Sequence, residues 1–382
     1  MIKLFRNFID ESNLSETELD KFSYSTDASR INGKTEMIVW PRSREELQRV
    51  CQIASRHNLP VTPRGAGCNL VGGAVPMNSI VVDMSKMNHV IEITNEYVHV
   101  ESGVIVEDLN KKLNERKFPI LPLNHKVASI GGLIASNSFC SRTSEIGRVI
   151  DWLLEIEVVD GTGKYHKLTG DAIRHFAGLE GSTGIISSAK LRLETPEKRS
   201  FSMINFNTID AMSDYLGERS TNPIRTDFLD EITSEVLGFE PKLHLIEVHP
   251  EGAGKLDDDE LKLLENMHEA LDWKLKKKGY SIIEAPSIPA DSIEKMIYWL
   301  RKNSVPSYAH FGSNIFLCYF KENSREIDSF RQAVINMKGN LAYGFGFGLK
   351  YKDLIPVNDK KNIAFLKATY DPKNIMNRGK ME

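Results

Sequence analysis

The sequence predicts an α+β protein of more than one domain, and three observations lead to this prediction. In the first half of the chain, short apolar runs typical of strands alternate with helical patterns and glycine-rich turns. A polar, proline-containing stretch at 195–199 is typical of a domain boundary. Beyond it, a long amphipathic helix is predicted from 257 to 278. The 382 residues would accommodate two to three domains at about 150 residues each.

The first predicted elements form a compact α/β unit. Residues 37–40 have the pattern of a buried strand, and Ser43 with Glu46 three residues later forms a capping box that begins a helix. The helix has one apolar face and ends at Asn58. Pro60 begins the next extended piece, which leads directly into a glycine-rich loop.

Several more strands are expected after this loop. They are predicted at 80–83, 90–93, 97–100, 153–159, 165–168 and 185–193. Asn95-Glu96 separates the second and third of these, and the turn Asp160-Gly161-Thr162-Gly163 separates the fourth and fifth, so two β-hairpins are predicted. A helical pattern begins near Val106, between the hairpins.

Composition and charge exclude several classes of function. Lys and Arg number 49 against 52 Asp and Glu, which gives a formal net charge of -3. A protein of this balance has no broad positive field that would draw it to nucleic acid or to anionic lipid. Chemistry on a small molecule is therefore the favoured expectation, with no nucleic-acid partner.

The cysteines and the N-terminal residues bear on possible metal sites and on the cellular location of the protein. Cys51, Cys68, Cys140 and Cys318 have no CxxC spacing and no paired histidines, which disfavours a structural zinc or a cysteine-ligated iron–sulfur cluster. No apolar signal core and no window of membrane-spanning length are present. A cytoplasmic location without a membrane span is expected, and peripheral attachment through a partner stays open.

The glycine-rich loop reads Pro63-Arg64-Gly65-Ala66-Gly67-Cys68-Asn69-Leu70 and is followed by Gly72-Gly73. Glycine permits unusual backbone dihedrals and a close approach of backbone N–H groups to an anion, so such a loop can wrap a pyrophosphate. The pattern is neither a Walker loop nor GxGxxG, which disfavours a nicotinamide Rossmann site. Taken alone, a tight glycine turn between strands explains the loop equally well.

Three further segments follow the loop in a fixed order: 128–137 (ASIGGLIASN), Ile146-Gly147 with Asp151, and 178–186 (GLEGSTGII). Together with the loop they resemble the FAD-binding domain of the vanillyl-alcohol oxidase (PCMH-type) superfamily. They are most similar to its branch of glycolate oxidase flavoprotein subunits and D-lactate dehydrogenases, which read PRGAGTGLSGG, ATIGGNIATNAGG, YGVTRD and VGSEGTLGI. The resemblance runs from about Tyr24 to Leu193, with a weaker match of 371–380 to DPxxILNPGK.

This resemblance implies an architecture and a cofactor. We expect a two-subdomain PCMH-type FAD-binding domain at 1–196, an antiparallel-sheet cap domain at 197–350, and a segment at 351–382 that returns to the first domain. FAD is expected to be non-covalent, because relatives with covalent flavin have a histidine where this chain has Cys68. Cys68 itself is interpreted as a small filler beside the loop.

The resemblance also assigns cofactor contacts. The first loop would hold the pyrophosphate, the 128–137 segment would border the flavin and ribityl chain, and the 178–186 segment would border the adenosine. The residues concerned are Pro63, Arg64, Gly65, Ala66, Gly67, Cys68, Asn69, Gly73, Ser129, Gly131, Gly132, Asn137, Glu180, Gly181, Gly184 and Ile186.

The substrate site of the family is only partly present. Family members carry HxGDGNxH and GEHGxG segments, whose histidines and glutamate often hold a divalent metal. Here His310 matches the first histidine, the second falls on or near Phe316, and the Glu-His pair falls on Gly344-Phe345. One histidine cannot hold a catalytic metal without other ligands, so no metal is predicted.

Three residues are candidates for catalysis, and each has an alternative interpretation. His310 is the candidate base or a hydrogen-bonded core histidine. Arg142 binds a substrate carboxylate or pairs with Asp151 or Glu145. His125 is a substitute base or a loop histidine on the surface.

The function implied is an FAD-dependent dehydrogenase that oxidises a small 2-hydroxy acid such as glycolate or D-lactate. Its electrons would pass to a separate acceptor, an iron–sulfur protein, a quinone or a soluble acceptor, within a possible homo- or hetero-oligomer. A flavin-bearing or structural subunit with a degenerate substrate site is the alternative. An oxidase that uses oxygen directly is a third possibility, recognisable by peroxide formation.

Overall fold

The computed structural model describes residues 1–220, 222–250 and 267–382. Two compact units account for its internal contacts: Met1–Cys140 with Arg148–Pro196 and Phe345–Glu382, and Ser141–Gly147 with Glu197–Gly344. These units differ from the expected segments in two places. The short piece 141–147 groups with the second unit, and the C-terminal part of the first unit begins at Phe345 rather than at 351.

The first unit contains two sheets. Its strands are β1 (Leu14–Ser15), β2 (Lys34–Val39), β3 (Val61–Arg64), β4 (Met77–Asp83), β5 (Val90–Ile93), β6 (Tyr97–Glu101), β7 (Leu153–Asp160), β8 (Tyr165–Leu168) and β9 (Gly184–Arg192). One sheet has the order β1-β2-β4-β3, in which β2 and β3 run parallel to β4. The other has the order β5-β6-β9-β7-β8 and is antiparallel throughout, so both predicted hairpins are confirmed.

Helices of the first unit lie between these strands and near its C-terminus. They are α1 (Glu18–Tyr24), α2 (Arg44–His57), α3 (Val106–Lys112), α4 (Ile130–Ala135) and, numbered last in the chain, α11 (Val357–Tyr370).

Helix α2 shows how the sequence fixes an element of the core. The Ser43 hydroxyl accepts the backbone N–H of Glu46 at 3.1 Å, as the predicted cap requires. Its buried face, which includes Leu47 and Val50, packs into the core beside β2, β3 and β4. Burial of a leucine side chain contributes about 1.5–3 kcal/mol, so Leu47→Ala would loosen the sheet from which the glycine loop emerges.

The second unit is built on one antiparallel sheet. Its strands are β10 (Arg199–Phe206), β11 (Arg225–Leu229), β12 (Leu243–Pro250), β13 (Tyr280–Glu284), β14 (Ser307–His310) and β15 (Ile315–Lys321), in the order β10-β12-β11-β14-β15-β13. Its helices are α5 (Thr143–Ile146), α6 (Ile209–Glu218), α7 (Glu231–Leu237), α8 (Met267–Lys277), α9 (Ile293–Lys302) and α10 (Glu326–Asn336). Residues 257–266, the expected start of the long helix, lie outside the described residues.

The central strands of this sheet are buried on both faces. β12 and β15 are buried except for their last residues, and β14 is buried along its whole length. A polar side chain on these strands must therefore find its hydrogen-bond partners within the unit. The pairing of β11 with β14 places Asp227 opposite His310.

No helix in the described ranges is both long enough and apolar enough to cross a membrane.

Candidate functional site

The glycine-rich loop leaves the end of β3 and is shaped by Asn69. The Asn69 carboxamide oxygen accepts the backbone N–H groups of Val71 at 2.9 Å and Gly73 at 2.8 Å. This short-range turn is the kind that asparagine side chains support. The conformation of residues 65–75, called here the 65–75 loop, is therefore stabilised by a side chain of the loop itself.

The loop presents unused hydrogen-bond donors. Across the described ranges, the backbone N–H groups of Gly65, Ala66 and Gly67 have no protein acceptor. Gly67 has φ +67°, which favours glycine, and a Cβ atom at Gly65 would lie 2.1 Å from the Ser129 hydroxyl. Successive donors in such a loop form an anion-binding concavity, and a pyrophosphate fits these donors.

Arg64 and Cys68 support the loop through their side chains. The Arg64 guanidinium donates to the Thr26 carbonyl at 2.8 Å and lies over the ring of Tyr24. Cys68 is a free thiol whose pKa is raised by burial, and the side chain of Asn124 hydrogen-bonds to it. A neutral thiol is a poor nucleophile, which agrees with the interpretation of Cys68 as a filler.

The 128–137 segment packs closely beside this loop. Ser129 caps α4 by accepting the N–H of Gly132, and a Cβ atom at Gly131 would lie 2.7 Å from that of Ser102. Asn137 has φ +44°, and its carboxamide oxygen accepts the N–H of Ile150 at 3.3 Å. Gly131, one of the glycines expected to border the flavin, thus packs closely against Ser102. The Asn137 side chain has a hydrogen-bond partner inside the protein.

Glu180, in the 178–184 loop, has hydrogen-bond partners within the protein. Its carboxylate accepts the backbone N–H groups of Phe347 at 2.7 Å and Gly348 at 2.9 Å. Its own N–H donates to the Ala135 carbonyl, and burial raises the pKa of its carboxyl. Its expected contact with the adenosine stays a prediction from the resemblance.

The neighbours of Glu180 are packed at backbone distance. A Cβ atom at Gly181 would lie 2.4 Å from Pro63 Cγ, and one at Gly184 would lie 2.7 Å from the Val159 carbonyl oxygen. Ile186 is buried in β9. Pro63 therefore links the first and third expected cofactor segments by direct packing.

Two buried hydroxyls in this unit lack partners. Within the described part of the chain, Ser102 Oγ and Ser182 Oγ are buried and make no hydrogen bond. Ser102 lies against Gly131, and Ser182 follows Gly181 directly. Buried polar atoms are normally satisfied, so these orphaned groups, the free loop donors and the close glycines together fit a bound dinucleotide such as FAD. Sequence reasoning missed both serines, because a lone serine carries no signal.

The second unit contains a buried charged cluster around His310. His310 Nδ1 lies 2.8 Å from Asp227 Oδ1, and Arg225 Nε lies 2.9 Å from Asp227 Oδ2. The Tyr308 hydroxyl lies 3.2 Å from His310 Nδ1 and hydrogen-bonds to Asp227, and burial raises the pKa of this tyrosine. Asp227 is fully buried between Arg225 and His310, so its carboxyl group contacts both of these side chains.

Sequence reasoning found His310 but not its partners. Arg225 and Asp227 are two residues apart on β11 and face the same side of the sheet as His310. The available signal was a pair of opposite charges in a strand whose other residues are Thr226, Phe228 and Leu229. The strand pairing that brings it to His310 joins positions 83 residues apart.

Arg142 lies in the short piece 141–147 of the same unit. Its Nε is 3.5 Å from Glu145 Oε2, and Arg199 Nη1 is 2.7 Å from the same oxygen. Arg225 Nη1 lies 3.4 Å from the Ser141 hydroxyl. The pairing of Arg142 with Glu145 is one of its two expected interpretations. Arg199, which also pairs with this carboxylate, was not predicted from the sequence.

His125, the third candidate, lies in the first unit. Its Nδ1 is 3.1 Å from the Pro122 carbonyl oxygen, and its Nε2 is 4.0 Å from a Glu107 carboxylate oxygen. Its half-exposed ring is therefore held by its own loop. Its role as a base stays a prediction.

The positions where the family has further ligands are apolar here. Phe316 is fully buried and lies near Phe311, and Phe345 contacts Phe139. Over the residues that the structure describes, no three His, Cys, Asp or Glu side chains are close enough to hold a metal ion.

Comparisons with known proteins match this chain to an FAD-binding family and to enzymes that oxidise hydroxy acids. Residues 35–169 match a family model described as an FAD binding domain. Glycolate oxidase subunit GlcD of Bacillus subtilis is 25% identical over 97% of this chain and 94% of its own length. A D-lactate dehydrogenase of Archaeoglobus fulgidus is 25% identical over 90% and 91% of the two chains. The mitochondrial D-2-hydroxyglutarate dehydrogenase of Danio rerio is 25% identical over 98% and 84%.

A solved structure of alkyldihydroxyacetonephosphate synthase matches with a TM-score of 0.72. It is 17% identical, and the match covers 98% of this chain and 85% of that one. At this identity the likeness shows the shared fold: an α+β protein with several antiparallel sheets.

Proposed function

The chain belongs to the FAD-linked oxidase superfamily, and from this premise we propose that it oxidises a small 2-hydroxy acid such as glycolate or D-lactate. It is an FAD-dependent oxidoreductase that acts on CH–OH groups. The single observation that carries the proposal is the buried array of His310, Asp227 and Arg225. A histidine held in a fixed orientation by a carboxyl partner is a suitable group for removing a hydroxyl proton.

The reaction converts a 2-hydroxy acid to a 2-oxo acid, and bound FAD supplies the acceptor, flavin N5, for the hydrogen and electron pair that leave C2. His310 takes the hydroxyl proton. In this proposal Asp227 accepts the N–H of Nδ1 and Nε2 carries the lone pair that acts as the base, in keeping with the 2.8 Å contact of Nδ1 with Asp227. Asp227 also stabilises the imidazolium that forms when Nε2 is protonated.

The substrate carboxylate needs a cation. Arg142 and Arg199 surround Glu145, and Arg225 lies near Ser141 in the same unit. These three guanidinium groups lie near the carboxyl groups of Glu145 and Asp227. We assign the substrate carboxylate to Arg142, since a carboxylate of the acid can share or replace its pairing with Glu145.

The electron acceptor is proposed to be a separate iron–sulfur protein, a quinone or a soluble acceptor. The four cysteines are free thiols, and three of them are buried. The sequence has no CxxC spacing, so a separate protein would have to supply any iron–sulfur cluster.

A degenerate substrate site in a flavin-bearing subunit is the second candidate. Phe316 and Gly344-Phe345 stand where the family has a histidine and a Glu-His pair, and Arg142 already has a carboxylate partner. These departures favour a chain that binds FAD but leaves substrate chemistry to another subunit.

An anaerobic absorbance titration separates the candidates. The flavin band of the purified holoprotein is followed while glycolate, D-lactate, L-lactate and longer 2-hydroxy acids are added. Bleaching by one acid is the expected result and names the substrate class. A flavin that none of them bleaches supports the degenerate subunit, and peroxide formed in air with the reactive acid identifies an oxidase.

A further inference from the structure

The last residues of the chain extend the sheet that carries the glycine loop. The Val61 N–H donates to the Ile375 carbonyl at 2.8 Å, and the Asn377 N–H donates to the Val61 carbonyl at 2.7 Å. The Asp371 carboxylate fixes the preceding turn by accepting the N–H groups of Ile375 and Met376, both at 2.9 Å. The C-terminal segment thus pairs with β3 immediately before the 65–75 loop begins.

Asn377 joins two of the expected cofactor loops through one side chain. It is fully buried and has φ +43°. Its Nδ2 donates to the Gly73 carbonyl at 2.9 Å and to the Glu180 carbonyl at 2.6 Å. A carboxamide NH2 group has two donors, and here one goes to the 65–75 loop and the other to the 178–184 loop.

Lys380 holds this arrangement in place. It is also fully buried, and its Nζ donates to the Val75 carbonyl and to Asn377 Oδ1, both at 2.5 Å. The bond to Oδ1 fixes the orientation of the Asn377 amide, so its NH2 group must face the two loops. A buried ammonium group is costly, and docking of the segment alone would be served by the apolar burial of Ile375 and Met376.

From these contacts we infer that Asn377 and Lys380 are positioning residues of the FAD site, which set the spacing between the 65–75 loop and the 178–184 loop. Neither residue is required to touch the cofactor. A ligand that contacts both loops binds most tightly when Asn377 bridges them. FAD binding and docking of residues 375–380 are then coupled, and each stabilises the other.

Asn377→Asp and Lys380→Met test the inference. The first keeps the shape but removes both donors, and the second keeps most of the length but removes the ammonium group. Lys373→Ala is the matched control, because this exposed lysine of the same segment bonds to the Ser55 carbonyl and to neither loop. FAD is removed from each protein, and its Kd is measured by titration with flavin fluorescence as the signal.

We expect the Kd for FAD to rise at least about tenfold in Asn377→Asp and Lys380→Met, and to stay at the wild-type value in Lys373→Ala. A purely structural role would lower the melting temperature of the apoprotein without changing this Kd. Wild-type affinity in both folded variants would therefore overturn the inference.

If a variant fails to fold, hydrogen exchange on the wild-type protein tests whether FAD binding and docking of residues 375–380 are coupled. The amides of Val61 and Asn377 report the docking of the C-terminal segment through their mutual pairing. Coupling predicts slower exchange at both when FAD is bound. Equal exchange with and without FAD would contradict the inference.

Discussion

The glycine-rich loops of the first unit, which we propose hold FAD, and the charged cluster of the second unit are built in opposite ways. The loops offer backbone donors at Gly65 to Gly67, where small residues keep the approach open. The cluster around His310 consists of side chains from separate strands, each dependent on the others for its orientation. Backbone recognition survives many substitutions, whereas a side-chain site is lost with one or two. This difference explains why the cofactor is established for this chain and the substrate is a proposal.

The largest expected effect comes from blocking the backbone donors. Gly67→Trp places a bulky side chain at φ +67°, where a Cβ atom would lie 2.1 Å from the Arg64 guanidinium. We expect FAD affinity to fall by more than about 100-fold, so that the purified protein carries no stoichiometric flavin. The flavin-to-protein absorbance ratio measures this.

Gly217→Ala serves as the control for that change, since Gly217 lies in α6 of the second unit with no atom within 4 Å of an added Cβ. It should keep full FAD. Full FAD in Gly67→Trp as well would show that the pyrophosphate does not lie on this loop.

The second prediction concerns the side-chain site. His310→Ala should slow flavin reduction by the hydroxy acid about 100-fold or more, because a general base contributes roughly 10²–10⁴ to the rate. Asp227→Asn should slow it less, since His310 remains but loses its anionic partner. Rapid mixing under anaerobic conditions measures both rates.

Flavin content should be unchanged in both variants, and His89→Ala, an exposed histidine of the first unit, should react like the wild type. Flavin reduction at the wild-type rate in His310→Ala would show that His310 is a core histidine. His125 would then be the remaining candidate base.

Arg142 allows a smaller and sharper test. Arg142→Gln should raise the KM for the acid about tenfold with little change in kcat, because a hydrogen bond to a charged group contributes about 1.5–3 kcal/mol. Glu145→Gln removes its present partner but leaves the guanidinium. Steady-state kinetics of both variants separate the two interpretations: if both lower the melting temperature and neither changes KM, Arg142 belongs to the scaffold.

The smallest effect is a pH dependence in the first unit. Burial lowers the pKa of Lys380 to about 8, while the charges of Glu180, Asp27 and Glu382 oppose this shift. Between pH 8 and the unfolded value of 10.5 the unfolded chain binds more protons, so the free energy of unfolding rises with pH. The contribution approaches about 1 kcal/mol per pH unit.

Denaturant unfolding of wild type and Lys380→Met at pH 7, 8 and 9 measures this dependence. The wild type should gain stability relative to the variant above pH 8. A difference that is constant with pH would show that Lys380 keeps its proton throughout.

More of the first unit than of the second could be predicted from the sequence, because the signals in the first unit are local. Local signals such as the Ser43 cap and the hairpin turns act over a few residues, and all were confirmed. The partnership of Asp227 with His310 depends on strand order, which periodicity does not encode. The same holds for Asn377, whose two acceptors lie 304 and 197 residues away in the chain.

Glu180 shows a further limit of sequence reasoning. Its motif marked it as a cofactor contact, but its carboxylate holds the backbone of Phe347 and Gly348. The motif did not indicate this role inside the protein, and the contact of Glu180 with the adenosine stays a prediction.

Deuterium at C2 of the substrate tests whether the proposed oxidation breaks the C2–H bond with help from His310. The holoprotein is mixed anaerobically with the reactive 2-hydroxy acid carrying either hydrogen or deuterium at C2, and the loss of flavin absorbance is timed. Breaking of the C2–H bond with transfer to flavin predicts slower bleaching by the deuterated acid, and slower still in His310→Ala. Bleaching by no 2-hydroxy acid, or equal rates for the two isotopes with no effect of His310→Ala, would contradict the account.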